Sequence, residues 1–202
     1  MPAESISDRR PTPGFYADPA GLKLTGLERH RQLIRGHGEP PAVQHLTGLR
    51  PTEISMGRAT FAMPASGWLV GPAGFLSAGP VAFLADAPLS LAIDSVLPAG
   101  KTSTTSEISL NLISPAFPGE GNLIARARVI DVSSRLGFSE VSVNDQHGRL
   151  IAHATSRCVI VDAPPTEETG QKPVDPDWSR DGHADPWSEE PQGFVDIDID
   201  QR

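Results

Sequence analysis

The stretch SAGPVAFLADAPLSLAID, residues 77–94, decides the fold of this chain. Between residues 79 and 96 the only polar side chains are Asp86, Ser90, Asp94 and Ser95. A helix that is hydrophobic on every side is a buried helix, because each of its faces needs an apolar partner. The stretch therefore predicts one long helix with the rest of a domain packed around it.

The start of this helix and its first aspartate both carry information. Ser77 is a suitable N-cap, and Pro80 suits the first helical position. Burying a carboxylate inside an apolar helix costs free energy unless the group is paired or hydrogen-bonded. The presence of Asp86 therefore calls for a functional or structural explanation. From the helix alone, two interpretations stay open: Asp86 does chemistry, or it bonds a backbone group or a buried water.

Strands flank the predicted helix on both sides. Before it, TEISMGRATFAMP (52–64) predicts one strand that ends at Pro64. After it, turn-forming residues separate four strand-like segments, which are TSEISLNLI (105–113), NLIARARVIDV (122–132), GFSEVSVND (137–145) and GRLIAHATSRCVIV (148–161). Successive strands with short turns predict an antiparallel meander. Alternation in the first segment places Ile108, Leu110 and Leu112 on one face.

The pattern predicts an α+β architecture, with an antiparallel sheet of five to six strands wrapped around one long central helix, the arrangement called the hotdog fold. Three regions follow: an N-terminal extension (1–43) with a short helix at Leu27–Arg35, the domain itself (44–162), and a tail (163–202). The tail is acidic and rich in proline and has few clustered aliphatic residues, so we expect it to be disordered.

Charge and composition exclude several classes of function. The chain has a net charge of −8, and all of it lies in residues 163–202. The neutral remainder lacks the basic face that nucleic acid requires. With no signal sequence and no apolar run of about 18 residues, we expect a cytoplasmic protein that does not bind membranes. No His, Cys or carboxylate spacing is typical of a metal site, so we predict no metal.

The order of elements and three segments resemble a known family. The segments are GFLSAGPVAFLADAPLSLAI (74–93), TSTTSEISLNLISPAFPGEGNLIARARVI (102–130) and DQHGRLIAHATSR (145–157). Over roughly residues 45–160 the chain resembles the hotdog-fold acyl-CoA thioesterases of the phenylacetate type (PaaI-like). The resemblance implies hydrolysis of an acyl-CoA thioester to free acid and coenzyme A without a cofactor. It also implies a homodimer or homotetramer with the active site at a dimer interface.

In that family the helix opens with His-Gly-Gly, and a catalytic Asp or Glu follows nine residues after the histidine. The matching positions here are Ser77, Ala78, Gly79 and Asp86. The acid and the second glycine are present, whereas Ser77 stands in place of the histidine and Ala78 in place of the first glycine.

The resemblance gives each position a role. It implies that Asp86 is the general base or nucleophile, and that the amides at Ala78 and Gly79, at the positive end of the helix, polarise the carbonyl. Ser90, one turn after the acid, would position the attacking water, or else it bonds its own backbone as helical serines often do. Family-like polar positions on the following strand add Thr105 and Asn111 as substrate-binding residues.

Two other functions stay open. Because Ser77 replaces the family's histidine, the domain could bind acyl-CoA or another ligand without turning it over. A hotdog hydratase or dehydratase would pair a histidine with the acid, and none lies near Asp86 in the sequence. The sequence leaves open the acyl group and the choice between coenzyme A and an acyl-carrier protein.

Overall fold

The computed structural model describes residues 21–36 and 42–162, so the predicted disordered tail lies outside the described residues. Besides two short 3₁₀ turns, the described part contains α1 (Gly26–Ile34), α2 (Ala42–Thr47), α3 (Ala78–Asp94), β1 (Arg50–Ser55), β2 (Arg58–Pro64), β3 (Lys101–Leu112), β4 (Asn122–Val132), β5 (Leu136–Asn144) and β6 (Leu150–Asp162). The predicted α+β fold, with one long helix on an antiparallel sheet, is confirmed. Among these described residues, no helix has the length and apolarity that crossing a membrane requires.

The strands form one antiparallel sheet in the order β1-β2-β4-β5-β6-β3. The predicted meander is right for β4 to β6 and wrong for β3, which pairs with β6 at the edge of the sheet. The physical reason is the helix: α3 packs across the sheet and carries the chain from β2 to the opposite edge, where β3 begins.

The predicted single strand over residues 52–64 is also wrong, because the chain folds back on itself there. Ser55 pairs with Arg58, so β1 and β2 form a hairpin around Met56 and Gly57. Gly57 has a φ of +73°. Only glycine adopts this left-handed conformation at little cost, and that permits the tight reversal.

The core lies between α3 and the sheet. Leu84, Leu89 and Ile93 on the helix are fully buried. Small residues on the facing strands let the helix approach closely: a Cβ atom added at Gly137 would lie 2.6 Å from Cγ2 of Ile93. The buried hydroxyl of Ser139, on β5, donates to the carbonyl oxygen of Leu89 at 3.0 Å. This polar side chain is therefore hydrogen-bonded where it faces the helix.

Several local predictions can be compared with these elements. Pro80 is the third residue of α3 rather than the first, and the helix continues through Pro88. Ser77 occupies the N-cap position without a capping hydrogen bond from its side chain. On the predicted apolar face of β3, Ile108 and Leu110 are partly buried against the core, whereas Leu112, the last residue of the strand, is 52% exposed. The short N-terminal helix is confirmed as α1.

Candidate active site

Asp86 lies on α3 and is only partly exposed. It lines a cavity bounded by α1, α2, β1, β2 and α3. The hydroxyl of Thr105, on β3, donates a hydrogen bond of 2.8 Å to Oδ1 of Asp86. Within the described part of the chain, no donor bonds Oδ2. The carboxylate is therefore held by one oxygen, and the other remains available to a ligand.

Thr105, expected to bind substrate, thus contacts the acid itself. A bulge between Thr105 and Glu107 interrupts the pairing of β3 with β6, and Thr105 lies opposite Cys158. The Oγ1 atom of Thr105 is 3.9 Å from the Cys158 sulfur. Burial is the largest influence on the Cys158 thiol and raises its pKa, although the Ser156 and Thr105 contacts act in the opposite direction. A thiol whose pKa is raised remains protonated at neutral pH, so Cys158 is a poor nucleophile.

Ser90 lines the same cavity as Asp86. Its hydroxyl donates to two backbone carbonyl oxygens, that of Asp86 at 3.2 Å and that of Ala87 at 3.1 Å. These bonds match the backbone-bonding alternative for a helical serine. The hydroxyl oxygen keeps lone pairs that could accept from a water, so the water-positioning role of Ser90 stays a prediction.

The start of α3 presents two free amides. The N–H of Ser77 donates to the carbonyl oxygen of Leu69 at 3.0 Å. For Ala78 and Gly79, both exposed, no residue in the described ranges accepts from the backbone N–H, and Pro80 has none to offer. A Cβ atom added at Gly79 would lie more than 4 Å from every other described residue to which it is not adjacent. This helix end can therefore donate to an oxyanion that approaches from solvent.

The predicted site residues do not all come together within one chain. Asp86 follows Ala78 by eight residues, which separates them by about 12 Å along the helix axis. Asn111 is exposed on β3 and lies opposite His153. It is six residues beyond Thr105, or about 20 Å along the strand. The structure brings Thr105 and Ser90 to Asp86, and it leaves Asn111 and the helix start at a distance.

Sequence reasoning missed the hydrogen-bond partners of a second carboxylate on α3, that of Asp94 at the C-terminal end of the helix. Asp94 is 7% exposed and accepts hydrogen bonds from Ser103 at 2.7 Å, from Arg29 at 3.1 Å and, with the ring nitrogen as donor, from His30 at 3.2 Å. Burial acts to raise the pKa of Asp94, but the hydrogen bonds of His30 and Ser103 and the charges of His30 and Arg29 outweigh it, so the pKa is lowered. The sequence did contain a signal for this cluster. Asp94 places a charge at the end of an apolar helix, and a buried charge needs partners from other parts of the chain.

His30 also lines the cavity that contains Asp86. The chain thus brings a histidine to the wall of this cavity although none is near Asp86 in the sequence. Its Nε2 atom is bonded to Asp94. Across residues 21–36 and 42–162, no group of three His, Cys, Asp or Glu side chains could hold a metal ion.

Comparison with known proteins relates the fold, and part of the sequence, to a family. The profile of the thioesterase superfamily matches residues 73–152, which include Asp86 and Thr105. No curated protein matches the chain. Among solved structures, a thioesterase from Haemophilus influenzae is 24% identical with a TM-score of 0.58, and the match covers 67% of this chain and 90% of that one.

Two further structures are informative. The Escherichia coli PaaI protein from the phenylacetic acid degradation operon is 16% identical, with a TM-score of 0.60 and coverage of 68% of this chain and 95% of that one. A Streptococcus mutans protein solved with bound acetyl-CoA is 18% identical, with a TM-score of 0.52 and coverage of 56% and 89%. The described domain therefore has the hotdog fold that it shares with PaaI, and its central part, residues 73–152, is similar to the thioesterase superfamily.

Proposed function

We propose that the protein hydrolyses an acyl-CoA thioester to a free acid and coenzyme A, with Asp86 as the catalytic acid–base group. The observation that carries the proposal is the state of this carboxylate: Thr105 holds Oδ1 at 2.8 Å, and Oδ2 is left without a described donor beside a largely apolar cavity. The superfamily match supports thioester chemistry, and the acetyl-CoA bound to the Streptococcus mutans protein supports coenzyme A as the carrier.

The reaction needs a base for water and donors for the oxyanion. In our proposal Asp86 takes a proton from water, and the water oxygen attacks the thioester carbonyl carbon. The carbonyl oxygen becomes an oxyanion that accepts hydrogen bonds from the amides of Ala78 and Gly79. When the C–S bond breaks, the coenzyme A thiolate leaves and receives the proton held by Asp86. An attack by Asp86 itself, through an anhydride that water then opens, uses the same groups.

This scheme requires two copies of the chain. Donors must lie about 3 Å from the oxyanion, yet the Ala78 amide is about 12 Å along the helix from Asp86 of the same chain. A second copy can present its helix start to the acid of the first. The edge strand β3 offers a surface for such pairing, since it is twelve residues long and, among the described residues, pairs with β6 on one side only. We therefore propose a homodimer, or a tetramer built from such dimers.

The test is thiol release from a panel of acyl-CoA substrates by wild type and Asp86→Asn. The variant keeps the size of the side chain and removes the base, so kcat should fall by at least about a hundredfold while the circular dichroism spectrum stays unchanged. Asp131→Asn, at an exposed position of β4, is the matched control and should keep full activity. An unchanged kcat in Asp86→Asn would remove this residue from the mechanism.

A second candidate is a domain that binds acyl-CoA without hydrolysing it. The departures at Ser77 and Ala78 from the family's helix start favour it. Calorimetric binding of acyl-CoA by wild type, with no thiol released from any substrate, would support this alternative over hydrolysis. Because His30 lies on the cavity wall, the same panel should include an enoyl-CoA, whose hydration would instead indicate a hydratase.

A further inference from the structure

The cavity beside Asp86 has a volume of about 500 Å³. Most of the side chains that line it are apolar, among them Leu33, Val43, Phe83 and Leu91. Cavities of this size bury drug-sized groups, and apolar walls favour apolar occupants. The cavity is therefore much larger than a water molecule or an acetyl group needs.

Its position relative to the acid limits what can occupy it. Asp86 and Ser90, one turn apart on α3, both line the cavity. A thioester whose carbonyl lies at Asp86 extends in two directions, the acyl group and the pantetheine arm. The pantetheine arm carries two amides, which would lose their hydrogen bonds against apolar walls. The hydrocarbon of the acyl group has no such cost.

One wall of the cavity comes from α1, which lies outside the matched residues 73–152. His30, Leu33 and Ile34 have the i, i+3, i+4 spacing of one helical face, and all three line the cavity. Gln32 is exposed and does not line it.

The helix α1 is fixed in place. The N–H of Gly26 donates to the carbonyl oxygen of Leu97 at 3.1 Å, and Arg29 and His30 bond to Asp94. These contacts anchor α1 to the C-terminal end of α3. The wall formed by α1 therefore has a defined position, and it can limit the size of an occupant.

We propose that this cavity is the acyl-binding pocket and that it selects uncharged apolar acyl groups well above acetyl in size, with Leu33 and Phe83 setting the limit. The inference rests on the proposed function, because it takes Asp86 as the group that acts on the thioester carbonyl. Its new content is the assignment of the pocket and of α1 as the element that determines acyl specificity.

The first test compares kcat/KM for acetyl-, butyryl-, octanoyl- and dodecanoyl-CoA. Each added methylene that the pocket buries should raise kcat/KM by about fourfold until the pocket is full.

Leu33→Trp narrows the pocket and should lower the octanoyl-to-acetyl ratio of kcat/KM by at least about tenfold. Gln32→Trp adds the same side chain on the exposed face of α1 and should leave the ratio unchanged. Phe83→Ala widens the pocket and should shift the preference towards dodecanoyl-CoA.

A wild type with no preference above acetyl, or the same ratio in wild type, Leu33→Trp and Phe83→Ala, would overturn the proposal while leaving hydrolysis intact. The second test needs no turnover: S-octyl-CoA, a thioether that cannot be hydrolysed, should bind wild type more tightly than S-methyl-CoA by calorimetry, and Leu33→Trp should abolish the difference. If no thioester is hydrolysed, the proposed function fails, and this binding difference still decides whether the pocket holds an alkyl chain. Equal binding of the two thioethers to wild type would assign the cavity to another occupant.

Discussion

The hydroxyl of Thr105 donates a hydrogen bond to Oδ1 of Asp86 over 2.8 Å, and so connects the central helix to the edge strand. The two residues are 19 positions apart in the chain. A side chain carboxylate on a helix can rotate about two bonds, and this contact selects one orientation. Thr105 therefore acts through Asp86 in our proposal and is a positioning residue.

Thr105→Val should lower kcat by about tenfold to a hundredfold, because a hydrogen bond to a charged group contributes about 1.5–3 kcal/mol. Valine has the shape of threonine, so the fold and KM should change little. Thr105→Ser restores the hydroxyl and should recover most of kcat. Stopped-flow or steady-state thiol release for the three proteins checks this. If serine fails to rescue the rate, the hydroxyl is not what positions Asp86.

Gly79→Ala should separate stability from activity. A Cβ atom here meets no atom of the described residues within 4 Å, and alanine is the better helix former by up to about 1 kcal/mol, so the variant should be at least as stable as wild type. If a thioester carbonyl approaches the Gly79 amide, the added methyl group obstructs it and kcat/KM should fall. Thermal unfolding and thiol release measure the two effects.

Gly67→Ala is the control for this pair of measurements, since a Cβ atom there also meets nothing within 4 Å in the part of the chain that the structure describes. It should change neither stability nor rate appreciably. A Gly79→Ala enzyme with the kcat/KM of wild type would show that no substrate atom passes close to this position.

The central features of the fold could be predicted because they depend on local pattern. The all-round apolar character of residues 77–94 predicts α3, and the strands β4 to β6 follow from their alternation and turns. Sheet order depends on packing between distant segments, which is why β3 was misplaced. The hairpin at Gly57 was missed because β-favouring residues flank the turn on both sides, although the glycine itself was a usable signal.

The candidate site was predictable to a similar depth. The resemblance to the PaaI-like family points to Asp86 and Thr105 as candidates, but the hydrogen bond between them is visible only in the folded structure. Asp94 and His30 are 64 residues apart, and no periodicity relates an N-terminal helix to the end of the central one. Burial of a charge implies a partner without identifying it, so this cluster required the structure.

The stability of the protein should depend on pH through Asp94. Its pKa lies below the ordinary value of 3.8 in the folded protein. A group whose pKa is lowered by folding stabilises the folded state above its unfolded pKa, and this contribution is lost as the pH falls through its folded pKa. The free energy of unfolding of wild type should therefore decline from about pH 5 downwards. Urea unfolding followed by circular dichroism at several pH values measures it.

Asp94→Asn should show how much of that decline belongs to this residue. Removing one partner leaves the charge of Arg29 buried without compensation, which costs about 3–5 kcal/mol at neutral pH. The difference between wild type and variant should shrink as the pH falls below about 4. A difference that stays constant from pH 7 to pH 3 would contradict the prediction. Asp131→Asn, at an exposed position, should follow wild type throughout.

Gly26→Ala should detach α1 from the central helix. A Cβ atom at Gly26 would lie 1.7 Å from the carbonyl oxygen of Asp94, so the two helix ends must separate. The shift would strain the bonds of Arg29 and His30 to Asp94 and displace one wall of the cavity. We expect a loss of about 1–3 kcal/mol in the free energy of unfolding, as for other overpacked contacts.

Gly21→Ala is the matched control, because the described atoms nearest to its added Cβ are 3.8 Å away. If Gly26→Ala unfolds at the same urea concentration as wild type, α1 does not make this close contact in solution, and its role as a fixed wall would be wrong.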